Sequence, residues 1–152
     1  MALTRAQVES LLVQRLKTLL TAAGLSTSKD GTNEDLNDAV GYAARQLGGT
    51  VADVTNVTSS ELSFVGADDY DKFLDIAELR ALETIVNALD DVNVKAGPLS
   101  TNQSEYAERA QKQLDKKRDV VMTMYGIGSA QIEAGVITLD VLLKDRDVEL
   151  VS

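Results

Sequence analysis

From Asp68 to Val92 the chain reads DDYDKFLDIAELRALETIVNALDDV, and apolar residues recur there at steps of three and four without a break. This spacing predicts one helix of about seven turns, roughly 35 Å long at 1.5 Å per residue. Its apolar positions are Tyr70, Phe73, Leu74, Ile76, Ala77, Leu79, Ala81, Leu82, Ile85, Val86, Ala88 and Leu89. They cover more than a narrow stripe, so the helix is expected to be packed from more than one direction. A helix of that kind leaves few architectures open: it sits at the centre and shorter helices surround it.

The remaining composition agrees with a helical build. The chain has 152 residues, a length that fits one domain burying about two-thirds of its unfolded surface. With aromatics at 4% and no Trp, the core must be made of Leu, Val, Ile and Ala. The single proline, Pro98, allows long uninterrupted helices. The fold class expected is mainly α: a small bundle of about four helices around the long central one, with an extended or β-like C-terminal arm. The division expected is a helical domain over 1–128 and an arm over 129–152.

Thr4 and Gln7 fit a capping box for a first helix to Ala23, with Gly24 at its C′ position. Val8, Leu11, Leu12, Leu16, Leu19 and Leu20 form its apolar stripe, and Arg5, Glu9, Arg15 and Lys17 its polar face. A loop, Leu25–Asn33, follows. Thr32 or Asn33 is placed to cap a second helix, Glu34–Leu47, whose small residues Ala39, Ala43 and Ala44 permit close approach and which stops at Gly48-Gly49. Thr50–Ala67 is less regular, with Thr58 or Ser59 placed to cap a short turn through Glu61-Leu62. After Gly97-Pro98, Asn102 or Ser104 opens a charged helix to about Met124, with Tyr106, Ala110, Leu114, Val121, Met122 and Tyr125 as its apolar positions. Lys112, Lys116, Lys117 and Arg118 make a basic cluster on it, expected to be a solvated face with i,i+4 pairs such as Glu108 with Lys112. In the tail, Ile137, Leu139 and Val141 alternate with polar residues, as in a short strand that needs another chain to pair with.

Chemistry is poorly provided for. Without cysteine or histidine, the chain lacks thiolate ligands, cysteine nucleophiles, imidazole ligands and the commonest general base. Gly48-Gly49-Thr50 lacks the lysine and spacing of a phosphate-binding loop, and Gly126-x-Gly128 lacks the third glycine of a dinucleotide turn. The acidic groups Asp68, Asp69, Asp71 and Asp90, Asp91 lack the glycine and closing glutamate of a calcium loop and read as helix-end charge. No enzymatic activity, cofactor or metal is expected. The net charge of −9 disfavours gripping nucleic acid, though not surrounding it. No run of about 18 apolar residues is present, so no membrane span is expected.

The order of these elements resembles the head–tail connector, or adaptor, proteins of tailed bacteriophages. The likeness is carried by the early amphipathic helix with LNDAVGYAARQLGG at Leu36–Gly49, the long DDYDKFLDIAELRALETIVNAL helix, the charged SEYAERAQKQLDKKRDVV helix ending in YGIG at Tyr125–Gly128, and the tail EAGVITLDVL at Glu133–Leu142. The loop 48–67 is long for the smallest members. The resemblance implies a homo-oligomeric ring, usually of twelve copies, assembled in the host cytoplasm and placed in the virion neck. There it would join the portal protein to the tail or stopper protein, and genomic DNA would pass through without sequence-specific binding. Ile137, Leu139 and Val141 would anchor the arm to the portal or a neighbouring subunit. Arg109, Lys112, Lys116 and Lys117 mark a candidate inter-subunit or channel helix. The competing readings are a tail completion protein or other phage assembly factor and, from another class, a small helical regulator that binds a protein partner.

Overall fold

The computed structural model describes residues 2–96 and 101–126, and side chains over 2–89 and 105–126. Four α-helices follow in order: α1 Arg5–Ala22, α2 Asn37–Gln46, α3 Tyr70–Ala96 and α4 Thr101–Tyr125. Single 3-10 turns lie at Glu34–Leu36, Ser59–Leu62 and Ala67–Asp69. The protein is mainly helical and has no strand among the described residues. The arm residues Ile137, Leu139 and Val141 lie outside the described residues. The chain falls into two compact units, 1–117 and 118–152; the second is described only through the end of α4 and Gly126.

Local chemistry sets the ends of the helices. The Thr4 hydroxyl accepts from the Gln7 N–H at 3.2 Å, and the Gln7 side chain accepts from the Thr4 N–H at 3.0 Å. This closes the expected capping box. At the other end Gly24 has a positive φ of 76° and donates to Thr21, while the Leu25 N–H donates to Leu20. Gly48, with φ 89°, and Gly49 close α2 the same way, donating to Arg45 and Ala44. These are Schellman closures, in which the left-handed residue is glycine because a side chain strains a backbone of positive φ. The second helix differs from its expected form only in its first turn. Asn33 caps it through a 3-10 segment, Glu34–Leu36, before α2 proper begins at Asn37.

α3 is the packing centre of the first unit. α2 packs along it most extensively and α1 also packs against it. Phe73, Ile76, Ala77, Leu82, Ile85 and Leu89 are fully buried, and Leu74, Leu79 and Ala81 nearly so. The broad apolar face thus has its expected neighbours. From α1 come Val8, Leu12, Val13, Leu16, Leu19 and Leu20, and from α2 come Ala39, Val40, Ala43 and Ala44. Leu11 departs from the expected stripe and stands exposed. α4 buries Ala110 and Leu114 within the first unit.

The polar face expected on α1 is wrong for two of its four residues. Arg5 and Glu9 are buried, and both have charged side chains that water would otherwise solvate. Burying two charges is costly unless their donors and acceptors are matched, and here the surrounding loops and the first residue of α2 supply most of the matches.

Candidate functional site

The buried pair organises one end of the molecule. Arg5 Nε donates to Glu9 Oε2 at 2.8 Å. Its Nη1 donates to Asn37 Oδ1 at 2.6 Å and to the Val57 carbonyl at 2.8 Å, and its Nη2 donates to the Asn33 carbonyl at 2.6 Å. Glu9 in turn accepts from the backbone N–H of Gly31 at 2.7 Å and of Asn33 at 2.9 Å. Asn37 extends the network by donating to the Thr55 carbonyl at 2.6 Å. The Arg5 backbone N–H donates to Ser59 Oγ at 2.9 Å. Two loops, 23–33 and 47–58, are therefore latched to the first two turns of α1. Four of the five Arg5 guanidinium N–H groups and both Glu9 oxygens have partners in this network, so its role is to hold the loops.

The held loops carry their own local ties. Thr58 and Glu61 form a second capping box. The Asp30 carboxylate is held below the usual carboxylate range by the Thr32 hydroxyl and backbone N–H, and Asp53 likewise by those of Thr55. Glu61 is lowered by the backbone N–H groups of Thr58 and Ala52. A depressed folded pKa contributes stability above the unfolded value, near 4, and that contribution is lost as pH falls through the folded value. The D30N/D53N variant is therefore expected to melt below the wild type at pH 7. The gap should narrow as pH falls below the ordinary carboxylate range and through the depressed folded values, where the wild-type carboxylates are protonated too. A gap that stays constant across that range in thermal melts would refute the assignment. On the same loop Val54 is 60% and Phe64 44% exposed. Phe64 lies over Gly49, whose missing Cβ leaves room for its ring.

The second concentration of charge joins three helices. Lys117 on α4 reaches both Asp75 and Glu78 on α3, each at 3.3 Å. Arg15 on α1 meets the same two carboxylates at 3.6 and 2.8 Å. Two cations and two carboxylates thus share one cluster. The structure therefore separates the four residues marked on the charged helix. Lys117 is turned inward at 19% exposure, whereas Arg109, Lys112 and Lys116 are exposed. The expected Glu108–Lys112 pair does not form among the described residues. The i,i+4 contact found on that face is Gln111 with Asp115, at 3.0 Å. Arg118 belongs to the second unit.

A cleft of about 90 Å³ opens between α1 and α4, lined by polar side chains that include Gln14, Arg15, Lys17, Thr18, Arg109 and Gln113 and also by Leu16 and Leu19. Arg109 thus shares a cleft with Lys17, a residue of the mixed polar face of α1. No group of three or more His, Cys, Asp or Glu that could hold a metal ion is found among the described residues. No described helix is long and apolar enough to cross a membrane. Comparison of the chain with protein-family models, with curated proteins and with solved structures gave no match.

Proposed function

We propose that this chain is a non-enzymatic structural protein of a tailed-phage virion. It would form a homo-oligomeric ring in the neck that joins the capsid portal to the tail and extends the DNA channel. The observation that supports this best is the helical frame. An 18-residue α1, a short α2 closed by Gly48-Gly49, a 27-residue α3 and a charged 25-residue α4 follow one another in the order that carries the resemblance. An acidic protein suits a channel wall, because duplex DNA slides past a surface that does not attract its phosphates. The loop 48–67, pinned by Arg5 and Asn37, would serve as a fixed contact surface for an adjoining neck component.

Truncation tests the reading. Removing Gly135–Ser152 is expected to leave the helical frame folded, because the last buried apolar residue described is Val121. It is also expected to abolish attachment to portal-bearing capsids, since Ile137, Leu139 and Val141 are the proposed anchors. Helicity by circular dichroism and co-sedimentation with capsids check the two halves. A truncated protein that still joins capsids normally would remove the arm from the account.

A further inference from the structure

Asp30-Gly31 is the one Asp-Gly pair in the chain, and no Asn-Gly pair occurs. In such a pair the nitrogen that follows the aspartate can attack its side-chain carboxyl, because glycine puts no side chain in the way. The five-membered imide that results reopens to aspartate or to isoaspartate. The loop's own geometry accounts for both residues. Gly31 has a φ of 94°, a backbone that strains any side chain. Asp30 accepts from the Thr32 N–H at 2.9 Å and from the Thr32 hydroxyl at 2.6 Å, the turn that an aspartate forms with the backbone two residues on.

The contacts that hold this loop also oppose ring closure. The Gly31 N–H donates to Oε1 of Glu9 at 2.7 Å, and Glu9 is fully buried. In the imide that nitrogen carries no hydrogen, so closure leaves a buried carboxylate oxygen without its donor. Closure also turns the Asp30 carboxylate, with its two Thr32 donors, into a neutral carbonyl and a weaker acceptor. Thr32 holds Asp30 in its ionised form, and the carboxyl must be protonated before its oxygen can leave as water. The Asn33 N–H, donating to Oε2 of Glu9 at 2.9 Å, holds the loop two residues further on. Lifting the loop from α1 releases the Gly31 nitrogen from Glu9.

We propose that Asp30-Gly31 is a covalent modification site at which aspartate isomerises spontaneously, and that the Arg5–Glu9 latch gates it. In the open loop the Gly31 nitrogen attacks Cγ of the protonated Asp30 carboxyl. A C–N bond forms, and the carboxyl hydroxyl leaves with the amide hydrogen as water. Water then adds back at either imide carbonyl. Breaking the new C–N bond restores aspartate. Breaking the bond to the Asp30 main-chain carbonyl leaves isoaspartate, in which the main chain runs through Cβ and Cγ. The isomerised chain has the same mass and one more backbone atom before Gly31. That displaces Gly31 and Asn33 from the positions that serve Glu9, so the modification records that the loop has opened.

The test is to incubate the full chain at neutral pH, folded and unfolded in urea, and to quantify isoaspartate at position 30 by chromatography of its proteolytic peptides. Isomerisation in the folded chain is expected to be slower by about tenfold or more, the factor that follows from leaving a buried acceptor unmatched. Glu9→Ala with wild-type helicity should recover about the same factor. In the wild type, at urea concentrations below the unfolding transition, the rate should rise in step with hydrogen exchange at the Gly31 amide, since one opening frees both. This arm needs no variant and decides the matter if Glu9→Ala does not fold. Equal rates in the folded and unfolded chain, or no isoaspartate at position 30 in either, would overturn the site. A rate that does not follow Gly31 exchange, or a folded Glu9→Ala that isomerises as slowly as the wild type, would overturn gating by the latch.

Discussion

Truncating Glu9 to alanine is expected to destabilise the protein by about 3–5 kcal/mol, the usual cost of leaving one member of a buried ion pair without its partner. Three donors lose their acceptor in this change: the Arg5 guanidinium and the backbone N–H groups of Gly31 and Asn33. Arg5 would remain buried among the Asn33 and Val57 carbonyls and Asn37, which are neutral and compensate its charge only in part. Replacing both residues, as in R5L/E9L, should cost less than the sum of the single changes, because no lone charge is then buried. Equilibrium denaturation of the three variants checks this. Hydrogen exchange should show the amides of Gly31 and Asn33 losing protection first in Glu9→Ala. A loss below about 1 kcal/mol for Glu9→Ala would mean that the pair is solvated and the network is not closed.

The Phe73→Ala change should be of similar size but different in character, about 3–5 kcal/mol, by the transfer and cavity cost of removing a buried aromatic ring. Phe73 is the largest of the fully buried side chains, on the helix that α1 and α2 both pack against. Domains of this size are held by about 5–15 kcal/mol in total, so the loss would be a large share of the stability. Unlike Glu9→Ala, it should lower the cooperativity of the whole helical frame instead of freeing the loops alone. A change under about 1.5 kcal/mol would show that the site collapses around the void or is not as enclosed as described.

The parts of the fold that could be read in the sequence are those governed by local rules. The capping box at Thr4, the glycine stops at Gly24 and Gly48, the short capped turn before Leu62 and the broad apolar face of α3 depend on residues a few positions apart. The Arg5–Glu9 clamp is not evident from residue type, although its position on the helix signals it. Arg5 and Glu9 fall at helical spacing with Val8, Leu12 and Leu16, within the buried stripe and not opposite it. What no local rule supplies is the set of acceptors and donors, from Gly31, Asn33, Asn37 and Val57, that makes burial tolerable, because these lie 22 to 52 residues away in the chain. The same holds for Lys117. Spacing grouped it with Lys112 and Lys116, yet Asp75 and Glu78, about 40 residues earlier, draw it inward. The cleft beside Arg109 depends on how α1 and α4 approach each other, which helical periodicity does not specify.

Electron microscopy of the virion neck, or of tailless DNA-filled heads mixed with the purified chain, tests the central claim most directly. The account predicts a symmetric ring between portal and tail into which the α1–α4 frame fits, with the long α3 resolved in each subunit. Particles whose neck contains no density for this chain would contradict the connector reading and leave a helical protein whose partner must be sought elsewhere.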